Sequence, residues 1–199
     1  MKDILKRYPR TLLPGLRVRP LEKGDEESLL RFFKTIPVEE RQLFKDDVTK
    51  PKVIKGWMDH LDYGNILPLL ALDGDRIVAD ATLHRDRRGW SRHVAKIRLT
   101  LDPEYRGRGI ARALIQEFIE IAARLQVAVL HAETLDSQKG GRALFDSLGF
   151  LPVATLPQHA IDFAGRVHDI VISTFTVTPP EKIAAEISLT EGDADTGGG

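Results

Sequence analysis

Two glycines, Gly107 and Gly109, mark the stretch of this sequence best suited to bind a charged ligand. They lie in the segment Arg106–Ala111, between an alternating apolar strand pattern and a long amphipathic helix pattern. Glycine has no Cβ, so its backbone adopts left-handed dihedral angles and can approach a ligand closely. Free backbone N–H groups and the positive end of the helix dipole would then point at one place. The pattern predicts an anion site suited to a pyrophosphate.

Two common phosphate-binding loops do not fit this turn. No Gly-Lys-Ser/Thr ending follows it, which excludes the loop of nucleoside-triphosphate enzymes. No third glycine stands at the spacing of a dinucleotide-binding loop, and Ala111 comes too early to take its place. A plain connecting turn, with Arg106 and Arg108 simply solvated, remains the alternative at this point.

Composition limits the class of protein. The chain has 199 residues, of which 42% are hydrophobic and 29% charged, which suits one globular domain. The formal net charge is zero, so no overall field draws it to nucleic acid or to a membrane surface. The absence of cysteine excludes disulfides, thiolate nucleophiles and cysteine–zinc sites. No spacing of His, Asp and Glu indicates a metal site, and no apolar run approaches the ~20 residues of a membrane span.

Hydrophobic periodicity predicts elements in the order βααβββαβαββ. The first helix follows Asp25, which could cap it. The other predicted helices cover about 51–62, 109–125 and 138–148, and the strands cover 16–20, 67–72, 76–84, 93–101, 127–132, 150–156 and 168–177. Strands outnumber helices, and helices occur both early and late. This order predicts an α/β (α+β) fold with a mixed, mostly antiparallel sheet of about six to seven strands and helices on both faces.

The two ends of the chain differ in composition from the middle. Pro9 and Pro14 discourage regular structure, so residues 1–14 are expected to form a flexible leader. Residues 15–178 are expected to form one domain, and 179–199 a largely disordered tail that is small, polar and acidic at its end. The charged N-terminus lacks the apolar region of a secretory signal, so a cytoplasmic location is expected.

Two motifs in order resemble the GNAT superfamily of N-acetyltransferases. The segment Leu101–Ala111 is similar to its acetyl-coenzyme A motif, in which Arg/Gln-x-x-Gly-x-Gly/Ala follows a strand. The segment Ala143–Phe150 is similar to the family's Leu-Tyr-Glu-Lys-x-Gly-Phe helix end. The resemblance spans about residues 16–177, and it implies a sheet splayed into a V.

The resemblance implies acetyl-CoA as cosubstrate. Its pyrophosphate would lie on the amides of Arg106, Gly107, Arg108, Gly109, Ile110 and Ala111. Its pantetheine arm would follow the strand end Leu99, Thr100 and Leu101, where edge amides are free for a ligand. An amide near Leu101 would stabilise the oxyanion that forms when an amine attacks the thioester. Gln138 stands nearest to the Asn with which the family's next helix often begins.

The chain also departs from the family pattern. Where the family often has a tyrosine that protonates the leaving thiolate, this chain has Phe145, which has no hydroxyl and is expected in the core. Where many members carry a glutamate on the strand before the turn, this chain has Lys96, which cannot act as a base unless burial lowers its pKa. These changes leave coenzyme binding as an inference and weaken any mechanism transferred from the family.

Glu133 is the expected general base. It lies at the C-terminal end of the strand 127–132, next to the expected gap in the sheet, and His131–Leu135 resembles a Gly-Glu-Thr-Leu stretch of bacterial protein-lysine acetyltransferases. A solvated strand end or a salt-bridge partner is the alternative for Glu133. Asp80 and His84 are four apart on one strand face and could line the acceptor side or be plain surface polarity.

A basic cluster could attract an acidic substrate or the coenzyme's 3′-phosphate, or it could be merely solvated. The cluster consists of Arg85, Arg87, Arg88 and Arg92. The loops 34–66 and 85–92 are expected to receive the acceptor, whose identity they do not encode.

Three functions follow from these patterns. The first is an N-acetyltransferase acting on a primary amine, either a protein lysine or a small molecule, by direct attack in a ternary complex. The absence of cysteine excludes a cysteinyl acyl-enzyme. The second is a catalytically weakened CoA-binding sensor or interaction module, and the third is a domain without a ligand. The sequence does not fix the oligomeric state, and a homodimer is one of the alternatives.

Overall fold

The computed structural model describes residues 1–41, 44, 46–162, 164–179 and 181–183. The tail expected at 179–199 therefore lies mostly outside the described residues. The helices are α1 (Lys2–Leu5), α2 (Glu26–Thr35), α3 (Val38–Arg41), α4 (Pro51–Asp59), α5 (Ile110–Arg124) and α6 (Lys139–Ser147). The strands are β1 (Arg10–Leu13), β2 (Leu16–Pro20), β3 (Ile66–Asp73), β4 (Arg76–Arg85), β5 (Val94–Leu101), β6 (Val129–Leu135), β7 (Leu151–Ile161) and β8 (Val167–Thr176).

All of these strands belong to one open sheet in the order β1-β2-β3-β4-β5-β6-β8-β7. Neighbouring strands are antiparallel except β5 and β6, which are parallel. The mixed, mostly antiparallel sheet predicted from the pattern is confirmed. The expected six to seven strands become 8 in the structure, because β1 adds a strand at one edge.

The first 14 residues are not the loosely held leader that the prolines suggested. They contain α1 and β1, and β1 pairs with β2. The carboxylate of Glu117, only 3% exposed on α5, accepts a hydrogen bond from Tyr8 Oη at 2.5 Å and lies 3.1 Å from Arg10 Nη1. A buried carboxylate that would otherwise lack a partner thus anchors the segment to α5.

Helices cover both faces of the sheet, as predicted. Along β3, Leu69 and Ala71 pack with α5 on one face, whereas Leu70 and Leu72 pack with α2 and α4 on the other. A strand that is buried on both faces cannot alternate apolar with polar residues. This explains the continuous apolar run in the sequence at β3.

One stripe of α5 positions the glycine turn. Ile110, Leu114, Phe118 and Ile121 recur at helical spacing, and each is at most 3% exposed. Burying each such side chain stabilises the fold by about 1.5–3 kcal/mol. The packing fixes the axis of α5 against β4 and β5, and so fixes where its N-terminus points.

The sheet opens between β5 and β6. Their parallel pairing runs only from Val94 opposite Val129 to Ile97 opposite Ala132. The rest of β5, from Arg98 to Leu101, pairs with β4 alone, and the end of β6 pairs with β8 alone. Successive N–H groups of a strand point to opposite edges, so part of the β5 backbone faces the gap. This is the V that the resemblance implied.

Helix α2, which follows Asp25, begins differently from the prediction. Asp25 is its N-terminal flanking residue, but the side chain makes no capping bond to the helix. Instead its carboxylate accepts bonds from Arg19 at 2.6 and 2.7 Å and from the Glu22 amide at 2.8 Å. A charged, bidentate partner is stronger than a neutral cap and takes the carboxylate. In the described residues no helix is long and apolar enough to cross a membrane.

Candidate functional site

A cavity of about 1090 Å³ occupies the V, between the glycine turn, β5, β6 and α6. It brings together most of the residues predicted for the site. Those that line it are Leu99, Thr100, Leu101, Arg106, Gly107, Gly109, Ile110, Ala111, Glu133 and Gln138. Arg108 does not line it: its guanidinium lies 4.5 Å from the Tyr105 ring centre and donates to the Glu104 carbonyl at 3.0 Å.

The glycine turn has the geometry that its sequence predicted. Gly107 and Gly109 have φ angles of 74° and 79°, in the left-handed region that side chains disfavour. A Cβ built on either glycine would meet no atom within 4 Å, so space lies above both. Gly109 is the N-cap residue of α5 and has no side chain with which to cap the helix. The first amides of α5 therefore remain available to an anion.

Two arginines that line the cavity bring positive charge to this turn. Arg106 Nη2 donates to both carboxylate oxygens of Glu40 at 2.6 Å. Arg112 Nη2 donates to Ser147 Oγ at 2.6 Å, which leaves its charge unneutralised by that bond. Glu40 lies on α3 and lines the same cavity, so its carboxylate would compete with a bound phosphate for Arg106.

Other contacts restrict how the predicted residues could bind a ligand. The side chain of Ile110 is buried in the core, so only its amide could reach a ligand. The Gln138 side-chain oxygen accepts a bond from the Leu135 amide at 2.9 Å and closes the turn before α6. The Thr134 hydroxyl lines the cavity and is buried, and it has no hydrogen-bond partner among the described residues. A buried polar atom without a partner is costly, and a bound polar ligand could supply one.

Glu133 lies in an ion-paired cluster at the base of the V. Its Oε1 is 2.5 Å from Lys96 Nζ and 3.5 Å from His131 Nε2, and 35% of its side chain is exposed. Burial raises the pKa of Glu133, but the bond from Lys96 and nearby positive charges outweigh it, so the pKa lies below its ordinary value. The pKa of His131 is also lowered, mainly by burial, so its imidazole is neutral near pH 7.

The cluster gathers residues that sequence reasoning did not connect. Lys96 and His131 are register partners on β5 and β6, and Glu133 follows His131 by two, hence on the same face. The period-2 spacing of His131 and Glu133 was a usable signal. The pairing with Lys96 was not visible, because it depends on β5 and β6 being neighbours in parallel register.

The other acid–base candidates, Asp80 and His84, do not line the cavity that contains Glu133. Asp80 lines neither this cavity nor a second one, and burial raises its pKa to about 7. His84 contacts Thr82 Oγ1 at 2.9 Å and lines the second cavity. Arg85, Arg87 and Arg88 also line the second cavity and not the first, whereas Arg92 lines neither. The arginines of this loop therefore do not reach the glycine turn.

Phe145 packs in the core, as expected, and Asp102 has a structural role. Phe145 is 8% exposed, and its ring centre lies 4.9 Å from that of Phe150. Asp102 accepts bonds from the Glu104 amide, Arg76 and Thr35, and so orders the turn that precedes Arg106. No tyrosine lines the cavity among the described residues. In that same part of the chain, no cluster of three or more His, Asp and Glu side chains could hold a metal ion.

Comparison with known proteins connects this geometry to a family. A model described as the acetyltransferase (GNAT) family matches residues 28–150. An N-acetyltransferase from Staphylococcus aureus Mu50 is 16% identical with a TM-score of 0.70, covering 82% of this chain and 99% of its own. A GCN5-related N-acetyltransferase from Kribbella flavida is 24% identical with a TM-score of 0.70, covering 82% and 98%. The structure of yncA from Salmonella typhimurium with its cofactor acetyl-CoA is 19% identical with a TM-score of 0.67, covering 82% and 95%.

Proposed function

Because the chain belongs to the acetyltransferase (GNAT) family, we propose that it transfers the acetyl group of acetyl-CoA to a primary amine by direct attack in a ternary complex. The amine is that of a protein lysine or of a small molecule. The observation that carries this proposal is the glycine turn at the N-terminus of α5, with left-handed glycines and uncapped amides facing a cavity that also holds Glu133.

Different segments of the chain bind different parts of acetyl-CoA. The amides from Arg106 to Ala111 hold the pyrophosphate, aided by the helix dipole and by the Arg106 and Arg112 charges. The free edge of β5 at Leu99–Leu101 binds the pantetheine arm through backbone hydrogen bonds, as an added strand would. Thr134 gains a partner for its buried hydroxyl from the same ligand. Gln138 shapes the start of α6 beside that arm.

The transfer itself needs a proton acceptor and an oxyanion donor. The amine nitrogen attacks the thioester carbon, an amide near Leu101 donates to the oxygen as charge develops, and the C–S bond breaks. Glu133 accepts the proton that the nitrogen releases, directly or through one water. Phe145 cannot protonate the thiolate, which leaves as the anion or takes a proton from solvent. The lowered pKa of Glu133 lets it return the proton to solvent readily.

The ion pair between Lys96 and Glu133 favours a second candidate, a CoA-binding sensor with weakened chemistry. A carboxylate that is already paired is a poorer base, and Phe145 supplies no acid. In this case the protein would bind acetyl-CoA tightly and release thiol at negligible rates on every amine. The two candidates share the cofactor site and differ only in turnover.

Thiol release from acetyl-CoA with a panel of primary amines separates the two. We expect turnover on at least one acceptor class, and a 10²–10⁴-fold lower kcat in Glu133→Gln with an unchanged Kd for acetyl-CoA. Glu120→Gln, an exposed carboxylate on α5, is the matched control and should retain full activity. Binding without turnover on any acceptor would favour the sensor. Full activity of Glu133→Gln would remove Glu133 from the chemistry.

A further inference from the structure

A second cavity, of about 1000 Å³, lies between residues 62–66 and the loop 85–91, which belong to the two loops expected to receive the acceptor. The two segments meet because β3 and β4 form a hairpin whose far ends pair Ile66 with His84. Lys96 and Arg98 line both this cavity and the one in the V, so the two cavities adjoin at the Glu133 cluster. A molecule in the second cavity would therefore present one end to the proposed base.

The walls of this cavity are rich in positive charge. Five cationic side chains line it: Arg85, Arg87, Arg88, Lys96 and Arg98. The acidic side chains that line it are Asp62 and Asp86, and Asp62 accepts bonds from the Gly64 amide and the Asn65 side chain. Among the described residues, Lys96 is the only one of the five cations that is in an ion pair, with Glu133. The four arginines and Lys96 thus outnumber the two aspartates of the lining, so the cavity carries a net positive charge.

One of these arginines also has an unmet hydrogen bond. Arg85 Nε is buried and has no hydrogen-bond partner in the described part of the chain. Burial, followed by the charge of Arg87, lowers the pKa of Arg85. His131 Nε2, which lies 3.5 Å from Glu133 Oε1, is also buried and makes no hydrogen bond to any described residue. An oxyanion in the cavity would give Arg85 its missing acceptor and reduce the repulsion between Arg85 and Arg87.

From this arrangement, and resting on the proposed acetyl transfer, we propose that the second cavity binds a low-molecular-weight amine through an anionic oxyacid group, a carboxylate or a phosphate. The oxyacid lies against Arg85, Arg87 and Arg88, and the amine points to Glu133. The cationic surroundings also favour the neutral amine over its ammonium form, and only the neutral amine can attack. The volume is in the range of small-molecule sites, which favours a small acceptor over a protein segment.

The test compares acceptors matched except for the anionic group. Thiol release is measured with phenylalanine, phenylalaninamide and the corresponding aminophosphonate, with glutamate, and with lysine peptides of acidic or basic sequence. We expect kcat/KM at least tenfold higher for the carboxylate or the phosphonate than for the neutral amide, and the better of the two identifies the oxyacid. A preference for either peptide, or equal rates on acid and amide, would overturn the proposal.

Charge-removing variants give the second readout. Arg85→Gln and Arg88→Gln should raise KM for the anionic acceptor at least tenfold, with little change for the neutral amide and none in the Kd of acetyl-CoA. Arg92→Gln is the matched control, because Arg92 is exposed nearby and lines neither cavity. Equal effects on acid and amide would contradict an oxyacid site. Turnover of neutral amines alone would refute only this inference, whereas binding of acetyl-CoA with no turnover of any amine would refute the acetyl transfer as well.

Discussion

The ammonium of Lys96 lies 2.5 Å from Oε1 of Glu133, across two parallel strands whose pairing ends at Ile97 and Ala132. The carboxylate proposed as the base is therefore held by a cation at the point where the sheet opens. The pair keeps Glu133 ionised at lower pH and directs it into the cavity.

Removal of that cation should change the pH dependence of activity. Two effects act on the pKa of Glu133: burial raises it, and the bond from Lys96 with nearby charges lowers it more. In Lys96→Met the lowering contribution of the pair is lost, so the pKa of Glu133 rises. We expect the acidic limb of kcat/KM to move to higher pH than in the wild type. The measurement is a pH–rate profile on one acceptor, and an unmoved limb would show that Glu133 does not produce it.

Neutralising Glu40 should tighten binding of acetyl-CoA. Arg106 is paired with Glu40 at 2.6 Å, and a phosphate must compete with that carboxylate. We expect the Kd of Glu40→Gln to fall severalfold at low salt, with a smaller change at high salt because of screening. Glu39→Gln is the matched control, since Glu39 lines the same cavity but has no ion pair among the described residues. Equal gains in both variants would point to the general field and not to the pair.

Thr134→Val should have opposite effects on stability and on binding. The Thr134 hydroxyl is buried without a partner in the part of the chain that the structure describes, so valine, which has a similar shape, removes an unsatisfied group worth about 1–3 kcal/mol. We expect a higher Tm for the free protein and a weaker Kd for acetyl-CoA. Thermal unfolding and calorimetry test this. A lower Tm would mean that the hydroxyl is already satisfied in the free protein.

Asp80→Asn should stabilise the protein above neutral pH. Burial raises the pKa of Asp80 from 3.8 to about 7, so the folded state binds the proton more tightly than the unfolded state. Stability is therefore lost as pH rises from about 4 to 7 and stays reduced above that. Asparagine lacks this loss, worth on the order of 4 kcal/mol at most.

Thermal unfolding at two pH values checks the Asp80 prediction. We expect the Tm of Asp80→Asn to exceed that of the wild type by several degrees at pH 8 and to approach it at pH 4. Asp75→Asn is the matched control, because that side chain is fully exposed on the β3–β4 turn and its replacement should leave the Tm close to that of the wild type. A gain that is the same at both pH values would contradict the raised pKa.

Much of the fold could be predicted because its signals are local. The glycine pair, the stripe from Ile110 to Ile121 and the apolar run of β3 each appear within a few residues. The structure differs where the deciding contact is distant. Pro9 and Pro14 suggested a leader, but Glu117 on α5, far along the chain, holds Tyr8 and Arg10 in place.

The site shows the same limit. Its glycine turn was predictable from the sequence, whereas the partner of Glu133 was not. In the sequence Lys96 is only a departure from a family pattern, and its bond to Glu133 depends on the register of two strands separated by α5. The second cavity could have been anticipated in part, because the Asp-Gly-Asp hairpin at 73–75 forces the far ends of β3 and β4 together.

The central claim, that the glycine turn binds the donor's pyrophosphate, is tested most directly by the Kd of acetyl-CoA in two matched variants. Gly109 and Gly74 both have left-handed φ angles, 79° and 58°, and open space where a Cβ would stand, but only Gly109 lines the cavity. Alanine should strain both turns by about 1 kcal/mol. We predict at least a tenfold weaker Kd in Gly109→Ala and an unchanged Kd in Gly74→Ala by calorimetry. Equal affinity in the two variants would contradict the claim.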